Sequence, residues 1–144
     1  MKFAQWAFRI AGIYGLLVIT PMIFLEERIG LDFPPPINHP EYYYGFVLVT
    51  IAWQFLFLVL SRDPVRYRLM MLPAIVEKLP FALTIIWLYL QGRVHAMMLG
   101  GGVIDLLLGI LFIVSFVKTK EEPQQHRYGE NEGSTHRAHP SKTM

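Results

Sequence analysis

The chain has 144 residues, which suits one domain or one domain and a tail. Apolar residues make up 53% and charged residues 17%, against roughly 25% charged in soluble domains, and the apolar residues gather in four long runs, which excludes a soluble globule, a disordered chain and a repeat solenoid. Zero cysteines exclude disulfides, iron–sulfur clusters, thiolate zinc sites and a lipoprotein anchor, and a net charge of +2 gives no reason to expect nucleic acid as a partner.

The runs cover residues 3–25, 42–61, 69–90 and 96–117. At about 1.5 Å of rise per residue each spans a hydrocarbon core of about 30 Å. Backbone polar groups cannot go unpaired in lipid, and period-2 alternation is absent, so the runs predict helices and not a barrel. The predicted fold class is all-α: an integral membrane four-helix bundle, up-down-up-down, over residues 1–117, with a disordered tail over 118–144.

The first run has Lys2 at its front and Arg9 inside it. Its length, and the absence of small residues at Phe24-Leu25-Glu26-Glu27, read as a retained spanning helix and not a cleaved signal. Pro21 has no N–H for the Leu17 carbonyl. The loop that follows, residues 26–41, is the longest connection. Pro34-Pro35-Pro36 predicts a stiff extended segment, and Asn38-His39-Pro40-Glu41 a helix start. Tyr42, Tyr43 and Tyr44 then sit where an aromatic belt belongs.

The second and third runs are joined by Arg62-Asp63-Pro64-Val65-Arg66-Tyr67-Arg68, and the third and fourth by a still shorter turn around Gln91-Gly92-Arg93. Short links predict that neighbours in sequence pack as hairpins. Lys2, Arg9, Arg62, Arg66, Arg68, Lys118 and Lys120 lie at one end of the runs, and only Arg28 and Arg93 at the other. That bias predicts a multi-pass protein of a bacterial inner membrane with both termini cytoplasmic. Beyond Val117 the chain turns polar and cannot bury enough surface to order itself. His126, His136 and His139 in that segment match no ligand spacing and are read as solvated side chains.

Charged residues inside the runs are the most informative feature. Glu77 and Lys78 set about 5–7 kcal/mol against insertion of the third run, while its Leu, Ile, Val and Phe residues return about 3–7 kcal/mol. Such a helix is not expected to face lipid all round. Counted from the cationic end, Arg9 lies about 8–9 Å deep, Gln54 about 10 Å, Glu77 about 12 Å and Asp105 about 18 Å. These five residues, Arg9, Gln54, Glu77, Lys78 and Asp105, are the candidate intramembrane polar cluster. Glu77 and Lys78 point about 100° apart on a helix, so each is expected to find a partner elsewhere: Arg9 with Glu77, and Lys78 with Asp105. Pro80 frees the Val76 carbonyl one turn from Glu77. Gly101, Asp105 and Gly109 share a face of the fourth run, and Ala7, Ala11 and Gly15 a face of the first. These small stripes predict close packing of the first helix on the fourth, with the first on the second as the alternative.

Other chemistry has little to build on. No histidine lies inside a run, which disfavours bis-histidine haem. Gly100-Gly101-Gly102 lacks the lysine of a phosphate loop. Ser61 and Ser115 have no histidine near them in sequence. Met70-Met71 and Met97-Met98 read as apolar filler and not as a copper(I) site, and the Trp and Phe residues as packing and interface anchors. No catalytic residue, metal or cofactor is predicted.

In size and layout residues 1–117 resemble the small bacterial four-helix membrane proteins of DoxX-like type. The phrase Asp105-Leu106-Leu107-Leu108-Gly109-Ile110-Leu111-Phe112 is similar to last helices in such families. Some of these are linked to redox or quinone-associated systems, but the resemblance carries no catalytic residue over. The histidine site of sterol-isomerase-like membrane proteins has no counterpart in the runs. The reading is an accessory or small-molecule-binding membrane subunit, non-enzymatic, whose partners are the bilayer and either a lipid-soluble molecule or another membrane protein. The alternatives are a proton-relay or transporter-like component using Glu77 and Asp105, and a membrane enzyme acting on a lipid-soluble substrate.

Overall fold

A computed structural model describes residues 2–119. The predicted tail lies outside the described residues apart from Lys118 and Thr119, as do His126, His136 and His139. Among the described residues every regular element is helical, and the α-helices are α1 (Lys2–Ile19), α2 (Glu26–Asp32), α3 (Pro40–Arg62), α4 (Met71–Leu90) and α5 (Ala96–Lys118). Four segments of 23 residues each, Lys2–Phe24, Pro40–Arg62, Arg68–Leu90 and Ala96–Lys118, are long and apolar enough to cross a membrane. They make the chain a small multi-pass membrane protein.

The first spanning segment is not one α-helix. It tightens to a 3-10 turn over Thr20–Phe24, because Pro21 removes the N–H that would continue the α ladder. The loop after it holds α2, where sequence reading placed only a connection. The signals for α2 are local: Glu26 and Glu27 in the first turn, and Arg28 bonded to Asp32 one turn on at 2.8 Å. α3 starts at Pro40, inside the predicted helix start, with His39 at the cap position. The Tyr43 hydroxyl donates to the Met22 carbonyl at 2.7 Å and ties the start of α3 to the end of the first span. α4 runs through Pro80 and ends on Gly92, whose φ of 69° lets Gly92 N–H reach the Tyr89 carbonyl and Arg93 N–H the Leu88 carbonyl. His95 Nδ1 accepts the Met97 N–H at the start of α5.

The long helices form a ring in the order α1, α3, α4, α5. The α1–α3 and α4–α5 sides are extensive, α1–α5 is smaller, and α3 barely touches α4 despite the short link between them. The expected hairpin of the second and third spans is therefore the loosest side. The buried core draws on all four long helices. Ala4, Phe8 and Ala11 of α1 meet Phe57 and Leu60 of α3, Met71 and Ala74 of α4, and Phe112 of α5 in one buried cluster. Phe8 stacks on Phe112 with centroids 4.2 Å apart, and Phe57 meets Phe112 edge-on at 5.0 Å.

The small stripe of α1 packs mainly on α3. A Cβ at Gly12 would meet the Leu58 side chain, and one at Gly15 the Gln54 side chain. The expected close pairing of the first and fourth spans gives way to the alternative. On α5 the buried small residues are Gly102 and Gly109, which face Ile85 and Leu79 of α4, while Gly101 has open space around it. Gly109 of the predicted face does lie against α4 beside Asp105, but Gly102 and not Gly101 completes that face, and the helix it meets is α4 rather than α1.

Candidate functional site: a buried ion triad between α4 and α5

The inward stripe of α4 is Met71, Ala74, Lys78, Ala82 and Ile85, at helical spacings of three and four. Lys78 is its one charged member and is buried in the bundle. Glu77 sits at the edge of that stripe. On α5, Asp105 lies between Gly102 and Gly109, the two glycines that let α4 come close.

The resulting geometry is a triad. Lys78 Nζ stands 3.0 Å from Asp105 Oδ1 and 3.3 Å from Glu77 Oε2. It also donates to Glu77 Oε1 at 3.4 Å. The ammonium lies 5.6 Å from the centroid of the Phe57 ring, which brings α3 against the same charge. Two carboxylates thus share one cation, with an aromatic face as its third neighbour. The expected Lys78–Asp105 pair is present. Glu77 and Lys78 also meet, although adjacent residues point apart, because the flexible lysine stem swings its head back to its neighbour where no water competes.

Arg9 is not a member. The buried face of α1 is Ala4, Ala7, Phe8, Ala11, Gly12 and Gly15, and Arg9 falls outside it, exposed, with its guanidinium 5.7 Å from the Trp6 ring. The Arg9–Glu77 pair expected from depth does not form, because depth fixes the level of a residue and not its azimuth. Gln54 is buried but turned toward α1. Its Nε2 donates to the Thr50 carbonyl at 3.0 Å, while its Oε1 is buried without a hydrogen-bond partner against Gly15. Three of the five candidate residues therefore come together.

The surroundings limit the chemistry. Ser61 and Ser115 are buried, and their hydroxyls donate to the Leu58 and Leu111 carbonyls of their own helices. The two best-formed concavities, of about 260 and 340 Å³, lie on the outer face of α3 around Trp53 and beside α2 around Glu26. Neither includes a triad residue. Sequence reasoning missed one polar contact at the cationic end: Arg68 Nε donates to the Thr119 carbonyl at 2.6 Å, with its guanidinium 4.0 Å from the Phe116 ring. A basic residue in a short link facing a helix C-terminus is the signal for it. No family model, curated protein or solved structure matches the chain.

Proposed function

We propose that the chain is a non-enzymatic accessory subunit of a bacterial inner membrane, with its termini in the cytoplasm, and that the triad locks α4 to α5 to present the bundle to another membrane protein. The observation that carries this reading is the ammonium of Lys78, which is taken up by Asp105, Glu77 and the Phe57 ring. A group bonded on all these sides holds helices together and is poorly placed to receive a ligand. Only 22–28% of each spanning window is buried inside the bundle, so each span also presents an outward face for lipid or a partner subunit to cover. The orientation rests on the cationic end described above. Kinship with DoxX-like proteins belongs to the same proposal and rests on size and layout.

The test is native mass spectrometry of the chain extracted gently from its own membrane, with Glu77→Gln and Asp105→Asn variants beside it. A stoichiometric complex with a second membrane protein, and lower abundance of both variants, is the expected result. A reproducible small-molecule adduct on a lone chain would overturn it in favour of a binding subunit.

One observation favours a second reading, a proton or cation relay. Two carboxylates face a single ammonium, and Glu77 Oε2 is buried without a hydrogen bond. A relay requires variants of normal abundance whose ion flux in proteoliposomes is lost.

A further inference from the structure

Five cationic side chains converge at one end of the bundle. Lys2 opens α1, Arg62 closes α3, Arg66 and Arg68 lie in the link, and Lys118 closes α5. The Lys118 ammonium lies 5.0 Å from the Phe3 ring centroid, and Arg68 reaches the Thr119 carbonyl, so the start of α1, the link and the end of α5 meet there. Among the described residues Asp63 is the one acid at this end, and its Oδ1 accepts the Arg66 backbone N–H at 3.1 Å. The opposite end carries Glu26, Glu27, Asp32 and Glu41 against Arg28 and Arg93.

Lys2, Arg62, Arg66 and Lys118 are exposed, and among the described residues no carboxylate pairs with any of them. Each region of charge adjoins an exposed apolar side chain: Phe3 next to Lys2, Leu69 next to the link, Val117 next to Lys118. A soluble anion has no use for those apolar neighbours. A molecule with a negative head and a hydrocarbon tail fits both.

We propose that this end of the bundle is a docking surface for anionic phospholipid, its phosphate taken by Lys2, Arg62, Arg66 and Lys118. The apolar neighbours receive the acyl chains. The inference needs the helices to span a bilayer but not the accessory role. Attraction of this kind is screened over a Debye length of about 8 Å at physiological ionic strength, so salt dependence is part of its signature.

The test is native mass spectrometry of the full chain in neutral detergent with equimolar phosphatidylglycerol and phosphatidylcholine. Phosphatidylglycerol adducts are expected to exceed phosphatidylcholine adducts by about tenfold, from several juxtamembrane cations acting together. The preference should fall toward parity at high ionic strength and in a K2Q/R62Q/R66Q/K118Q variant, and survive in R28Q/R93Q. The salt titration on the native chain keeps the test decisive if the fourfold variant does not fold. Parity in the native chain overturns the proposal. Equal competition by soluble glycerol phosphate overturns it in favour of a plain phosphate site. A preference that persists in the fourfold variant or is lost in R28Q/R93Q overturns the assignment of residues. None of these outcomes bears on the accessory reading.

Discussion

Lys78 Nζ stands 3.0 Å from Asp105 Oδ1, so a single ammonium bridges α4 and α5 inside the apolar part of the bundle. Substituting Lys78→Met removes the one cation and leaves Glu77 and Asp105 facing each other without compensation. Removing one partner of a buried pair costs about 3–5 kcal/mol, whereas replacing all the charges with apolar groups of similar volume is often neutral. The order of stability expected is therefore the native chain and a K78M/E77L/D105L triple variant at the top, Asp105→Asn below them, and Lys78→Met lowest. Asp105→Asn is the milder single change because Glu77 stays 3.3 Å from Nζ. Fluorescence-detected size exclusion after graded heating ranks the four. A Lys78→Met chain as stable as the native one would mean that the triad does not hold the hairpin.

Gly15 and Gln54 supply a second test, on the other hairpin. A Cβ on residue 15 would fall on the Gln54 amide, which is buried and whose Oε1 has no hydrogen-bond partner. Gly15→Ala is expected to cost about 1–3 kcal/mol as an overpacking change. Pairing it with Gln54→Ala opens the space again, so the double variant should be more stable than the sum of the two singles predicts. A thermal double-mutant cycle measures this. Strict additivity would show that the two helices do not approach at this point.

The membrane class and the four spans were legible because they rest on composition and length, and lipid allows few alternatives for such runs. The Lys78–Asp105 pair was legible as well, since opposite charges inside two neighbouring apolar helices need each other. What sequence could not fix was azimuth. Arg9 has the depth to reach Glu77 but sits beside Phe8 rather than on the Ala4–Ala11 face. Its position off that stripe of small residues was visible and outweighs depth. The glycines of α5 show the same limit at finer scale. Gly101 and Gly102 lie 100° apart, and only the contact with Ile85 tells which one faces α4. The looseness between α3 and α4 runs against the short link that joins them, and no local pattern reveals it. The helix α2 was readable from its acidic first turn and its Arg28–Asp32 spacing, but the prolines that follow drew the whole segment into a loop reading.

Arg68 fastens the link to the end of α5 through its bond to the Thr119 carbonyl and its place over Phe116. Hydrogen bonds from a charged group contribute about 1.5–3 kcal/mol, and a partly desolvated cation–π contact about 0.5–2 kcal/mol. Arg68→Lys keeps the charge but loses the planar group that stacks and donates at once. It is expected to recover only part of what Arg68→Ala loses. The sensitive readout is hydrogen exchange at the last turn of α5, which should quicken in both variants and more in Arg68→Ala. Equal protection in all three chains would detach Arg68 from the end of α5.

Gly101 and Gly102 are neighbours with opposite demands. Nothing lies within 4 Å of where a Cβ on Gly101 would sit. Gly101→Ala therefore gains helix propensity without a clash, worth about 0.8–1.0 kcal/mol in a helix interior. A Cβ on Gly102 would lie 2.9 Å from Ile85 Cγ2 and 3.1 Å from Ile85 Cβ. Isoleucine is stiff about χ1 in a helix, so its branch point cannot swing aside as the end of a leucine can. Overpacking of about 1–3 kcal/mol then exceeds or cancels the gain in propensity. Thermal stability is expected to run Gly101→Ala, then the native chain, then Gly102→Ala, and the penalty of Gly102→Ala should shrink in an Ile85→Ala background, where the Cγ2 it meets is gone. If Gly102→Ala matches Gly101→Ala, the α4–α5 faces do not meet at Ile85, and the approach that carries Asp105 to Lys78 loses its outer support.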